Sequence, residues 1–173
     1  RRLAKLAETK KKRPAEIARR KAEAARLAAK AEKRRLAKLA EAGKKRQAEI
    51  ARRKAEEKRS VDFTKGFDAY ERGDYATALH VWKPLANQGF AEAQYFRGLM
   101  YENGKGVSKD DKLAVKWYTL AAKQGDVDAQ YSLGGMYDFG QGVPEDDKEA
   151  VKWYRLAAEQ GDADAQKELE ILQ

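Results

Sequence analysis

Residues 91–126 and 127–162 are two copies of one pattern, aligned without a gap at an offset of 36 residues. AEAQYFRGLMYENGKGVSKDDKLAVKWYTLAAKQGD is followed directly by VDAQYSLGGMYDFGQGVPEDDKEAVKWYRLAAEQGD. A unit of this length holds two helices and cannot bury an apolar face alone, so the copies must stack on each other. Each copy reads as a helix, a glycine-containing loop (ENGKGV or DFGQGV) and a second helix. Glycine supplies the positive φ that such a loop needs. Asp110/Asp111 and Asp146/Asp147 stand where the second helices begin and suit N-caps and the helix dipole, and Gly125 and Gly161 stand where they stop.

The spacing within these helices predicts which residues are buried. Ala114, Trp117, Tyr118 and Ala121 recur at three- and four-residue intervals, as do Ala150, Trp153, Tyr154 and Ala157, which makes one apolar stripe per unit. Small residues at Ala93, Gly98, Ala129 and Gly134 allow close helix approach, and Met100, Tyr101, Met136 and Tyr137 fill the space between pairs.

Charge divides the chain in two. Residues 1–60 carry 24 Lys/Arg against 8 Asp/Glu, whereas residues 61–173 carry 13 against 20, and every Tyr, Phe and Trp lies after residue 60. Only the second segment can build a sizeable core. The first repeats itself at an offset of 33: RRLAKLAE at 1–8 returns at 34–41, and AEIARRKAE at 15–23 returns at 48–56. Leu6, Ile17, Ala28, Leu39 and Ile50 follow at eleven-residue steps, a period that holds one face of a helix with ~3.67 residues per turn. Glu8–Lys12, Glu16–Arg20, Glu41–Lys45 and Glu49–Arg53 set acid four residues before base, the favourable order. The reading is a long solvated helix, ~90 Å if continuous at ~1.5 Å per residue, with kinks or breaks expected at Pro14 and Gly43.

Two uses of this arm stay open. It is a spacer, or it is a polybasic element that lies on nucleic acid, an anionic membrane surface or an acidic protein face through Lys11, Lys12, Arg13, Arg19, Arg20, Lys44, Lys45, Arg46, Arg52 and Arg53. No aromatic interrupts these charges, so any nucleic-acid contact would be to phosphates, independent of sequence and steeply salt-sensitive. The arm and the acidic remainder should attract each other most strongly below ~0.15 M salt.

The order AQ, LG or RG, MY, GxGV, DD and AVKWYxLAAxQGD resembles the Sel1-like repeat, a relative of the tetratricopeptide repeat. The resemblance covers residues 61–173. Residues 61–90 look like an ordinary tetratricopeptide unit with a shorter turn and landmarks at Gly66, Ala69, Gly73, Tyr75 and Ala78; residues 163–173 look like a capping helix, with Glu170 in place of Gly98 and Gly134. Arg97 departs from the pattern, since the next copy has Leu133; its guanidinium either snorkels outward or pairs with an acid.

The resemblance implies an all-α fold, a short right-handed α-solenoid whose first helices line a concave groove, working as a non-enzymatic adaptor or scaffold within a multi-protein assembly. Carried over by position, the groove residues are Phe63, Phe67 and Tyr70, then Tyr95, Leu99 and Glu102, then Asp128, Tyr131, Asp138 and Phe139. Aromatics flanked by acids suit a basic, partly apolar peptide; the competing reading is that several of them only pack between units. Members of such families are frequent in bacteria and often periplasmic or exported, with a cytoplasmic location left open. The alternative function is a tether to nucleic acid or another anionic surface through residues 1–60.

Other chemistry finds few residues to carry it. His80 is the single histidine and there is no cysteine, so neither a thiolate metal site nor a nucleophile with its base can be assembled, and no phosphate-binding loop is present. No catalytic residue, metal, cofactor or small-molecule substrate is expected. The Asp pairs at 110/111 and 146/147 recur at helix starts, which favours capping over calcium binding or acid catalysis. No run approaches the ~18 to 20 apolar residues of a membrane span, and the start at Arg1 leaves room for a leader or anchor ahead of it.

Overall fold

The computed structural model describes the backbone of residues 2–172 and the side chains of residues 13–172. Its elements are seven helices: α1 (Arg2–Glu71), α2 (Tyr75–Asn87), α3 (Ala91–Asn103), α4 (Asp111–Ala122), α5 (Val127–Asp138), α6 (Asp147–Glu159) and α7 (Ala163–Leu172). The chain divides into two compact units, Arg1–Ala55 and Glu56–Gln173.

The first unit is helix throughout its described backbone, and its described side chains are all exposed. Glu16–Arg20 and Glu41–Lys45 close at 2.9 and 3.0 Å, as their spacing predicts. Lys11, Lys12 and the Glu8–Lys12 pair lie outside the described side chains. Neither Pro14 nor Gly43 breaks the helix, since α1 runs through both. Water can take up the carbonyl freed by an exposed proline. The ~1 kcal/mol cost of Gly43 is spread over a cooperative run of good helix formers. Helix α1 also crosses the compositional boundary at residue 60 without a turn.

In the second unit each of the helices α2 to α7 packs on the next in sequence, the nearest-neighbour arrangement of a solenoid. One large ring lies at the centre of each helix pair: Trp82, Tyr118 and Tyr154, all fully buried and spaced 36 residues apart. Each ring rests on a glycine of the preceding helix. A Cβ on Gly98 would lie 2.5 Å from the Tyr118 ring, one on Gly134 2.6 Å from Tyr154, and one on Gly66 would overlap Trp82. The close approach anticipated from small residues therefore has a specific purpose, a bare backbone under a ring.

Five aspartates cap helix starts. Asp74 accepts from the Thr77 N–H, Asp110 from Leu113, Asp126 from Ala129, Asp146 from Lys148 and Glu149, and Asp162 from Ala165, at 2.7–3.1 Å. Such caps contribute about 1 kcal/mol each. The start of α3 departs from this rule. Phe90 stands where later units have Asp126 and Asp162, makes no side-chain cap, and packs edge-on to Phe63 at 5.6 Å.

The loop glycines join units together. Gly106 (φ +70°) and Gly142 (φ +71°) adopt a left-handed backbone, and a Cβ there would strike Tyr75 and the Asp111 carbonyl respectively. Tyr75 and Asp111 are the first residues of α2 and α4, so each loop is seated on the second helix of the unit before it.

A glutamine ladder runs beside these contacts. The Gln94 amide donates to the Ala86 carbonyl at 3.1 Å and its oxygen accepts from Gln124 at 2.7 Å. One unit later Gln130 donates to Ala122 at 3.1 Å and accepts from Gln160 at 2.8 Å. Buried amides cost free energy unless paired, so the ladder fixes the register of one unit on the next.

Arg97 takes neither of the two conformations expected of it. Its side chain is buried at 7 % exposure with its guanidinium 4.1 Å above the Trp117 ring, donating to Asn87 Oδ1 at 3.2 Å and Tyr101 Oη at 3.4 Å. Both of these partners are uncharged, and its Nε lacks a partner. The flat guanidinium stacks on an indole where Leu133 fills the same space against Trp153 in the next unit.

Candidate peptide-binding groove

Helices α3, α5 and α7 are the first helices of successive units, and residues of α3, α5, α6 and α7 with the loop after α5 enclose a cavity of about 320 Å³. Three of the residues named from sequence, Glu102, Tyr131 and Phe139, line it. They are joined by Ser132, Gln141, Tyr154 and Glu168. Phe139 is 69 % exposed, a large apolar ring held at the mouth by the C-terminal end of α5, where its N–H bonds the Gly135 carbonyl at 3.0 Å.

The remaining named residues are placed differently. Asp138 neighbours the cavity and accepts from the Tyr154 hydroxyl at 3.5 Å, while Asp128 is exposed on the first turn of α5. Tyr95 and Leu99 are half-buried on α3, Tyr95 packing on Phe96 at 5.2 Å and Tyr118 at 5.7 Å. Phe63, Phe67 and Tyr70 belong to a separate aromatic cluster that ties α1, α2 and α3 together. Phe63 lies 5.9 Å from Trp82 and 5.6 Å from Phe96, Phe67 meets Phe96 at 5.7 Å, and Tyr70 meets Trp82 at 5.7 Å. Tyr70 also accepts from Lys105 at 3.0 Å. Phe63 and Tyr70 are therefore engaged in packing, while Phe67 keeps 40 % of its surface open.

Electrostatics give this face its sign. Burial, reinforced by Asp128 and Asp126, pushes the Tyr95 phenol up to about 12. Burial raises Tyr131 as well, with Glu168, Asp164 and Asp162 adding to it, and raises Tyr154, with Asp138 and Glu168 adding to it. Asp126 itself is raised by burial and by the neighbouring charges of Asp128 and Glu92. Three tyrosines, on α3, α5 and α6, thus all feel carboxylates, and Lys167, the cation that acts on Tyr131, is held by Asp164 at 2.8 Å.

Glu102 already has an internal partner, since its carboxylate accepts from the buried Tyr118 hydroxyl at 2.5 Å. Its other oxygen remains available to the cavity. Glu168 was not anticipated. At offsets of 36 its position holds Phe96 and Ser132, so no recurring acid marks it, and only the packing of α7 against α6 brings it to the cavity.

Among the described residues no cluster of three or more His, Cys, Asp and Glu is placed to hold a metal ion, and His80 is an exposed side chain on α2. No helix among them is long and apolar enough to cross a membrane.

Helix pairs stacked in sequence order define an α-solenoid of the repeat type, a class built to present extended surfaces. The Sel1 repeat model matches residues 91–126 and 127–162. The chain belongs to the Sel1-repeat proteins. It is similar to a Sel1 repeat protein from Oxalobacter formigenes, at 37 % identity and a TM-score of 0.61, over 64 % of this chain and 45 % of that one. It is also similar to c5321, a protective antigen of uropathogenic Escherichia coli strains with an SLR fold, at 41 % identity and a TM-score of 0.60, over 66 % of this chain and 26 % of that one. A third similar structure is cysteine rich protein B of Helicobacter pylori, at 31 % identity and a TM-score of 0.50, over 52 % of this chain and 68 % of that one. The chain therefore spans less than half the length of the first two. None of the curated proteins matches the sequence. Sel1 repeats are in general protein-interaction modules, typically non-enzymatic.

Proposed function

We propose that the repeat unit is a non-enzymatic adaptor that receives a basic, partly apolar segment of a protein partner on the face formed by α3, α5 and α7. The observation that carries this reading is the cavity of about 320 Å³ in which the exposed Phe139 ring and Tyr131 stand between Glu102 and Glu168. An apolar anchor fits the rings, and a Lys or Arg one helical turn away reaches a carboxylate. The test is binding of a labelled helical peptide rich in Leu and Lys to the full chain, by fluorescence anisotropy. Tyr131→Ala with Phe139→Ala should weaken binding at least ~10-fold, about 1.4 kcal/mol. A charge-reversed peptide binding equally well, or no loss in the double variant, would place the partner site elsewhere.

A second reading concerns the arm. Arg19, Arg20, Lys44, Lys45, Arg46, Arg52 and Arg53 are all exposed on one uninterrupted helix, the arrangement needed to dock on an anionic surface such as nucleic acid. Retention of the full chain on a DNA duplex at ~0.05 M salt and release near ~0.5 M would support it; no retention at the lower salt would remove it.

A further inference from the structure

The groove and the arm complement each other in charge and in apolar pattern. Ile17, Leu39 and Ile50 stand exposed on the eleven-residue row of the arm, with 39 to 59 % of their surface open. A helix that is charged nearly all round, with one sparse apolar row, gains by laying that row on a surface offering rings beside carboxylates. The cavity between Glu102 and Glu168 offers this, with Phe139 at its mouth.

The duplication in the arm adds a second fact. AEIARRKAE occurs at 15–23 and again at 48–56, so Ile17 with Arg19 and Arg20 is repeated as Ile50 with Arg52 and Arg53. Thirty-three residues make about nine helical turns and ~50 Å, so both copies face nearly the same side. Two repeat units of roughly 35 Å across, centred on sites ~50 Å apart, do not collide.

We propose that the segment AEIARRKAE on the arm of one copy docks in the acidic aromatic cavity of a second copy of this chain. Ile17 or Ile50 meets Phe139 and Tyr131, and the paired arginines that follow reach Glu102 and Glu168. This rests on the cavity being a peptide groove, as proposed above. Each arm carries two copies of the segment and each chain one such groove, so at least one segment must find its acceptor on another copy. Donor and acceptor surfaces differ, and the contact therefore propagates head to tail instead of closing as a two-fold dimer. Two segments per arm let one chain recruit two others.

Sedimentation of the full chain tests this with two surface variants. Phe139→Ala with Glu168→Lys disables the groove; Arg19→Glu, Arg20→Glu, Arg52→Glu and Arg53→Glu together disable the arm. The wild type should grow in mass with concentration at ~0.05 M salt and return to monomer near ~0.5 M. Each variant alone should stay monomeric, with unchanged helicity by circular dichroism. Mixed together, they should form complexes of one intact arm with one or two intact grooves. Self-association of the groove variant at the wild-type level would overturn the proposal, because arms would then be pairing with arms. A monomeric wild type at low salt would also overturn it. In that case the Leu/Lys peptide still binding the full chain would leave the groove reading standing, and its failure to bind would remove both.

Discussion

The buried hydroxyl of Tyr118 donates to the carboxylate of Glu102 at 2.5 Å, and one unit later Tyr154 faces Asp138 across 3.5 Å in the same geometry. The two pairs occupy equivalent positions and differ by one methylene in the acid. Glu reaches the ring of the partner helix; Asp falls short. A hydrogen bond to a charged group contributes about 1.5–3 kcal/mol and weakens steeply with length. Tyr118→Phe should therefore cost roughly 2 kcal/mol in urea unfolding, and Tyr154→Phe under about 0.5. Equal losses would mean that the acid side chains rearrange and the distance does not decide.

Glycine substitutions should separate by environment and not by location in a helix. Gly134→Ala places a Cβ 2.6 Å from the Tyr154 ring, so the helix-propensity gain of about 1 kcal/mol is outweighed by overpacking of about 2–3 kcal/mol. Gly43→Ala has nothing within 4 Å and should raise helicity of the arm without a change in the unfolding of the repeat unit. Circular dichroism and thermal melting read both. A neutral Gly134→Ala would show that Tyr154 can tilt away.

Gly142→Ala combines two penalties. The residue adopts φ +71°, which costs a side chain about 1–2 kcal/mol, and its Cβ would overlap the Asp111 carbonyl. Gly125→Ala, at φ +93° with open space around it, carries only the first penalty. Gly142→Ala should therefore lower the urea midpoint clearly more than Gly125→Ala. It should also loosen α4 against α5, seen as faster amide exchange in α5.

Much of this was legible from the 36-residue offset. Repetition at that interval marked the helix pairs, and Asp110 and Asp146 were readable as caps because their chemistry is local. What periodicity could not supply is the partner across an interface. A helical face shows that Glu102 points inward, but not that Tyr118 claims one of its oxygens. Phe63 and Tyr70 occupy groove positions by pattern, yet Trp82 and Phe96 hold them because the first unit has aromatics on both sides of the interface. Glu168 carries no repeat signal at all. Pro14 differs for the opposite reason: a local rule allows a kink or a break there, and the long solvated helix continues through it.

Alkaline titration should report the acidic face. The phenols of Tyr95, Tyr118, Tyr131 and Tyr154 are all raised above their ordinary value near 10, chiefly by burial, Tyr95 to about 12. Native chains hold these protons more tightly than unfolded ones. The stability they contribute is complete below pH ~10 and is lost as pH rises through the native values. Tyrosinate absorbance should therefore show Tyr95 ionising only at about pH 12, in a step that coincides with loss of helicity. A single phase near 10 with helicity retained would contradict the burial of these hydroxyls.

Arg97→Leu should stabilise the protein. The buried guanidinium gains a stacked contact with Trp117 at 4.1 Å and hydrogen bonds to Asn87 and Tyr101, none of which carries a charge to offset its own. Burying an ion costs several kcal/mol, a desolvated cation–π contact returns about 2, and neutral hydrogen bonds about 1 each. Its Nε is left without a partner. Leu133 shows that leucine fills the equivalent space against Trp153 with no exposed surface. Asn87 is exposed and can turn to water when the guanidinium is removed. The urea midpoint should rise by an amount worth about 1 kcal/mol, with the slope unchanged. A fall of similar size would mean that the stacked cation holds α3 on α4 more strongly than leucine does.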